Sequence, residues 1–219
     1  MTESPISKSF PLTINTQEHG TTNDQFLDLY IELQPLQHLT EINDWHNHQT
    51  VFDHTQLVVS AARNILSTLS PELRSLLKEE IDTKSKEELI IVATLFHDIG
   101  KINTFRQDNG KTTTIGHETE GAKMIGPILM KYNFSPDQIA YVTWLIEEHG
   151  NFSNFLTQDE NHFLQTCQIL KNEGDLLGIT ILGKADLEGS NYFESNPDDY
   201  NFRHKRCSDV LNKAQTFYE

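Results

Sequence analysis

Basic residues are scarce in this 219-residue chain: 17 Lys and Arg stand against 32 Asp and Glu, a formal net charge of −15 at pH 7. So acidic a protein repels phosphate backbones at long range, which argues against sequence-independent nucleic-acid binding. Long apolar runs are missing too. No stretch approaches the roughly 18 consecutive apolar residues of a membrane span, so no membrane segment is expected. Cysteine is nearly absent. Cys167 and Cys207 are too few for a disulfide framework or a thiolate zinc site, and they read as two reduced thiols of a cytoplasmic protein. The opening segment, Met1 to Asn23, is rich in Thr and Ser, with Lys8 its only Lys or Arg. It has no basic start, apolar stretch or small-residue cleavage site, so it does not read as a signal peptide. It reads as a mobile tail, residues 1–23, ahead of a single domain over residues 24–219. Against these shortages stand ten histidines, more than an ordinary core requires.

Apolar residues recur at intervals of three to four along most of the chain, the period of a helix. Phe26, Leu27, Tyr30, Ile31 and Leu33 predict a first helix ending near Pro35. Val51 to Leu69 predicts a second, and Pro71 suits the first turn of a short third. Ser85-Lys86-Glu87-Glu88 is a capping box opening a helix with Leu89, Val92, Ala93 and Phe96 inward, with Gly100 as its stop. Thr104 to Arg106 and Lys111 to Ile115 flank Asp108-Asn109-Gly110, a hairpin signal, so a small β-ribbon over residues 104–115 interrupts the helices. Helices resume at His117 to Tyr132, with Pro127 inside. Ser135-Pro136-Asp137-Gln138 then caps a helix expected to run to His149 and stop at Gly150. Gln158 to Lys171, Leu176 to Leu187 and Pro197 to Phe217 complete an all-α domain.

The segment Leu95-Phe96-His97-Asp98-Ile99-Gly100-Lys101 carries the first chemical signal. Two adjacent ligand-type side chains end an otherwise apolar helix, and both can reach one ion lying beyond the helix end. His54 shares the apolar face of Val58, Ala61 and Ile65; alone, such a histidine is ordinarily a hydrogen-bonded core residue. His117 opens a helix, His149 continues the stripe of Val142, Leu145 and Ile146, and Asp186 follows the apolar Leu176 to Leu182 segment. Burying each such group unpaired costs on the order of 1–3 kcal/mol. A shared metal ion removes that cost for all of them at once.

The order His54, His97-Asp98, His117, His149, Asp186 resembles the extended pattern of the HD superfamily of metal-dependent phosphohydrolases, from Val51 to about Ser190. Within it, the ribbon and Gly116-His117-Glu118-Thr119-Glu120-Gly121-Ala122 look most like the HD domain of bacterial tRNA nucleotidyltransferases, here standing alone. The resemblance implies a helical bundle with a divalent ion held by His54, His97, Asp98 and Asp186. In two-metal members Asp98 bridges, and the positions of His117 and His149 bind the second ion. In single-metal members those two positions contact phosphate instead.

Imidazole and carboxylate suit Mn, Fe, Co, Ni and Zn alike, and Mg is also admissible. One or two such ions would acidify water and polarise a phosphoryl oxygen. That leads to phosphomonoester or phosphodiester hydrolysis on a nucleotide or other small phosphorylated substrate. Asp98 and Lys101 are the expected catalytic residues. Lys101, Arg106 and Arg203 are the candidate substrate-binding cations, although Arg203, Lys205 and Arg206 on the last helix are more readily read as a solvated face. Trp45-His46-Asn47-His48 is a candidate for the pocket mouth and Tyr192 for base stacking. Two other readings stand beside hydrolysis. One is a di-iron oxygenase on the same six ligands; the other is a non-catalytic nucleotide-binding sensor module.

Overall fold

The computed structural model describes residues 30–218. The predicted tail, and Phe26 and Leu27 of the predicted first helix, lie outside the described residues. The fold is all-α. Its helices are α1 (Val51–Thr68), α2 (Pro71–Leu76), α3 (Lys86–Phe96), α4 (Lys101–Thr104), α5 (His117–Met130), α6 (Pro136–Phe155), α7 (Glu160–Glu173), α8 (Leu176–Gly189), α9 (Tyr192–Ser195) and α10 (Pro197–Tyr218). A 3-10 helix, Ile31–His38, precedes them and carries Pro35 inside it, so the expected stop there is not observed. Three antiparallel two-stranded ribbons pair β1 (Thr40–Ile42) with β2 (Asn47–Thr50), β3 (Glu80–Ile81) with β4 (Lys84–Ser85), and β5 (Arg106–Asp108) with β6 (Lys111–Thr113).

The caps predicted from sequence are in place. The Ser85 hydroxyl accepts from the Glu88 N–H while the Glu88 carboxylate accepts from the Ser85 N–H, and Ser135 and Gln138 do the same at α6. Each such cap contributes about 1 kcal/mol to its helix. The hairpin turn holds Asn109 at φ 48° and Gly110 at φ 79°, the two positive values a two-residue turn of this kind demands. α3 is buried on all sides through Leu89, Ile90 and Val92 to Phe96, and it packs against α1, α6 and α8. It is the central rod, and its C-terminal end delivers His97 and Asp98 to the middle of the molecule. Among the described residues no helix is long and apolar enough to cross a membrane.

Two glycines read as helix stops do other work. Gly100 has an ordinary φ of −66°. A Cβ there would sit 2.0 Å from the His117 carbonyl oxygen and 2.4 Å from the Gly121 nitrogen, so Gly100 is where α5 lies directly on the turn after α3. Gly150 does not end α6, which continues to Phe155; a Cβ there would meet the Glu118 carboxylate at 2.2 Å. Both spaces serve close approach, not chain reversal.

Candidate metal centre

Five helical segments converge on one point. His54 stands one turn into α1, whose N-cap Thr50 accepts from the Asp53 N–H. His97 keeps helical geometry just past Phe96 (φ −54°, ψ −35°). His117 is the first residue of α5, entered through Gly116 at φ 82°. His149 lies on the buried face of α6, and Asp186 in the last turn of α8. Rigid helices fix all of these positions, and the chain separations bridged are long. His54 and Asp186 are 132 residues apart in sequence, yet Nε2 and Oδ1 are 2.9 Å apart.

The four imidazoles share one orientation. Each Nδ1 faces a backbone carbonyl: His54 that of Gly189 (3.2 Å), His97 that of Thr94 (2.8 Å), His117 that of Thr114 (2.9 Å) and His149 that of Ile146 (2.6 Å). A carbonyl only accepts, so each Nδ1 carries the proton and each neutral ring keeps its Nε2 lone pair. The Nε2 atoms point at one another, His54 Nε2 to His97 Nε2 at 3.3 Å and His117 Nε2 to His149 Nε2 at 3.2 Å. Asp98 sits between the two pairs. Its Oδ2 is 3.3 Å from His97 Nε2 and 3.6 Å from His54 Nε2, and its Oδ1 is 3.3 Å from His117 Nε2. Oδ2 is fully buried and accepts no hydrogen bond of good geometry, although the Lys101 ammonium is 2.9 Å away.

Acceptors facing acceptors at these distances repel unless a cation lies among them. Two triads offer ligand atoms within 4.8 Å of one another: His54, His97 and Asp98, and Asp98, His117 and His149. Asp186 Oδ1 adds a fourth oxygen beside the first, 3.5 Å from His97 Nε2. The donor set, neutral imidazoles with carbonyl-fixed tautomers plus carboxylates, fits a divalent metal ion.

Protonation energetics agree. Burial opposes charge on His97, but Asp98 and Asp186 outweigh it and raise its pKa to about 10. In the metal-free chain a proton there supplies part of the missing positive charge. Burial, with His117 and His97 nearby, pushes His149 down to about 4, so that ring stays neutral. Burial would raise both carboxyls. The charges and hydrogen bonds of His97, Lys101 and His117 nevertheless hold Asp98 well below the usual range, and those of His54 and His97 do the same for Asp186.

A profile of the HD domain matches residues 51–185, more than half of the chain. The chain belongs to the HD domain family. That family is one of metal-dependent phosphohydrolases, and this HD domain has His and Asp groups able to hold the metal. The match ends one residue short of Asp186.

All six residues that the sequence singled out as ligands are thus brought together. Of the three candidate cations only Lys101 joins them. Lys101 is buried, its Nζ 2.7 Å from Glu41 Oε2 and 2.9 Å from Asp98 Oδ2. Arg106 is exposed on β5 and donates to the Asn103 and Phe105 carbonyls, away from the cleft. Arg203 is held by Asp199 and the Ser153 carbonyl, both at 2.5 Å. Arg206 is buried against the Leu156 and Gln158 carbonyls, a structural role.

Above the centre opens a cleft of about 280 Å³, with Asp98, His117, His149 and Asp186 in its wall. Of the four-residue segment Trp45 to His48, Trp45 and His46 line the cleft and Asn47 and His48 do not. Tyr192 does not present a stacking face. It is 7% exposed, with the Trp45 ring lying flat on it at 4.0 Å and 5°. Sequence reasoning missed Glu41 and Glu118. Glu118 Oε2 is 3.3 Å from His117 Nδ1, and its position beside the quoted His117 was the one available signal. Glu41 sits in a three-residue strand without a motif.

Proposed function

We propose that this HD domain is a phosphohydrolase acting on a nucleotide or another small phosphorylated substrate. In this reading His54, His97, Asp98 and Asp186 hold one divalent ion, and Asp98, His117 and His149 hold a second. The observation that carries it is Asp98, one oxygen toward each pair of imidazoles whose lone pairs face inward. A bound ion supplies Lewis acidity, polarising a phosphoryl oxygen and acidifying water.

The chain's own residues do the rest. Backbone carbonyls hold the imidazoles in the ligating tautomer. Burial of His54, His97 and Asp98 keeps bulk water from the centre, while His117 and Asp186, at 15% and 25% side-chain exposure, face the substrate side. Cleft charge sets the order of binding. Glu41, Asp98, Glu118 and Asp186 line it against the single ammonium of Lys101, so an anionic substrate is repelled until divalent cations are present. Lys101 places its charge beside Asp98 and offsets part of that repulsion. The β5–β6 ribbon leading into Gly116-His117-Glu118 supports a relationship to the HD domain of tRNA nucleotidyltransferases. An apolar core running from Tyr30 to Leu211 supports the described part of the expected 24–219 domain as one unit.

The test is phosphate release from nucleoside monophosphates, cyclic nucleotides and simple phosphate esters, with Mn, Fe, Co, Ni, Zn and Mg in turn, with and without oxygen. Hydrolysis that proceeds anaerobically with redox-inert ions supports the proposal. Turnover that demands iron and consumes oxygen overturns it in favour of an oxygenase. Nucleotide binding without turnover overturns it in favour of a sensor module.

A further inference from the structure

The geometry points to Trp45 as a stacking platform for an aromatic base, which makes the substrate a nucleotide and not a base-free phosphate ester. This rests on the phosphohydrolase reading and names its substrate class. Trp45 lies in the wall of the cleft and is half-buried. One face of its ring is covered by Tyr192. The Arg203 guanidinium carbon is 5.3 Å from the Trp45 centroid and 6.0 Å from that of Tyr192. With the two rings 4.0 Å apart, those distances put the cation beside the stack and over neither outer face. Among the described residues no other ring or cation lies against Trp45. Its second face thus meets no ring or cation of the described residues, and the residue borders the cleft, where a planar partner would lie.

The platform is rigid before any ligand arrives. The Trp45 N–H donates to Asn43 Oδ1 at 2.9 Å, and its carbonyl accepts from the Asn191 N–H at 2.9 Å. The Tyr192 hydroxyl donates to Asp199 at 2.8 Å, Asp199 accepts from Arg203, and Arg203 donates to the Ser153 carbonyl of α6. A chain of bonds thus runs from the β1–β2 hairpin to α6 across the mouth. Holding an aromatic face in a fixed pose removes most of the ordering cost of stacking. A large apolar ring face in a cleft whose other side chains are polar or charged gains most from a flat apolar partner, and every nucleobase has such a face. The cleft, at about 280 Å³, is at the lower end of small-molecule sites. That suits one nucleotide.

Trp45 also lies outside residues 51–185, as do Tyr192, Asp199 and Arg203. The platform belongs to this chain's flanking segments, not to the shared domain.

The test compares adenosine 5′-monophosphate with ribose 5-phosphate on the metal-loaded protein and its Trp45→Ala, Trp45→Leu and Trp45→Phe variants. The kcat/KM ratio of the base-bearing to the base-free ester should exceed one. It should fall roughly 10- to 100-fold in Trp45→Ala or Trp45→Leu and recover most of that in Trp45→Phe. Independently of turnover, adenosine 5′-monophosphate should quench the tryptophan emission of the native protein. That quench should vanish in Trp45→Phe, which keeps Trp144 as its only tryptophan. A ratio that does not move in Ala or Leu, or an equal quench in Trp45→Phe, overturns the platform while leaving hydrolysis standing. Quenching confined to the native protein with no ester hydrolysed under any metal overturns the phosphohydrolase reading and leaves the platform standing.

Discussion

At the floor of the cleft, ligating atoms are buried and directed at one another with too few protons among them; at the rim, nearly every polar group already has its partner. His54, His97, His117 and His149 spend their Nδ1 protons on carbonyls and turn their Nε2 atoms inward. Tyr192 and Arg203 both donate to Asp199, and Arg203 also donates to the Ser153 carbonyl. The difference teaches where chemistry and where selection reside. A set of acceptors left facing one another is costly to bury and is maintained for what it binds. A satisfied network fixes a shape.

That contrast breaks most sharply at Asp98. Asp98→Ala removes the oxygens that face both triads, and metal analysis with phosphate-release assays should find bound ion lost and turnover down by about a thousandfold or more. An Asp98→Ala protein that keeps its metal would show that the floor works otherwise. Next in size is Lys101→Ala, which leaves Glu41 and Asp98 buried without their shared counter-charge. Denaturant titration should show a loss of about 3–5 kcal/mol, as for one partner removed from a buried pair. Glu41→Gln in the same background should restore part of it. His117→Ala and His149→Ala should each lower metal stoichiometry from two to one. Unchanged stoichiometry with a raised KM would move both residues to phosphate contact.

Acid and base should sharpen the same comparison in metal-free protein. His149 and His46 have folded pKa values near 4, below the unfolded 6.5, through burial and neighbouring positive charge. The stability they carry is present above pH 6.5 and is lost as pH falls toward 4, at about 1.4 kcal/mol per pH unit and group. His97 acts in the opposite sense. Raised to about 10, it stabilises fully below pH 6.5, and that contribution drains away as pH rises through 10. Thermal melting in chelator should therefore peak near pH 6.5. A bound metal ion displaces the His97 proton, so metal binding should release protons to buffer. The smallest effect belongs to Arg106, exposed and bonded to its own ribbon. Arg106→Ala should change kcat/KM by less than about twofold.

Floor and rim also differ in how far they could be read in the sequence. The six floor residues stood out because ligand-type side chains on apolar helical faces contradict the pattern around them. The caps at Ser85 and Ser135 are local motifs, legible within four residues. Glu41 was invisible, because its role depends on Lys101, 60 residues away. The β1–β2 ribbon escaped notice because its pairing slips register between Glu41 and Ile42, which breaks the alternation that marks a strand. Gly100 and Gly150 were legible as glycines but not as contacts. Composition shows that a Cβ is missing, never what occupies its place.

The contact of His54 with Asp186 spans 132 residues of chain, and this has a consequence for assembly. No partly folded chain lacking α8 can present the first triad together with Asp186, so the complete ion site exists only once α1, α3 and α8 have packed together. The entropy of closing so long a loop grows only logarithmically with its length; what the site requires is the mutual packing of α1, α3 and α8. An ion that recognises only the finished fold then acts as a thermodynamic latch. At a free concentration one hundred times its Kd it would add about 2.7 kcal/mol to the native state, a sizeable share of the 5–15 kcal/mol that separates an ordinary domain from its unfolded chain. Metal supply would thus set how long the protein survives as well as how fast it turns over.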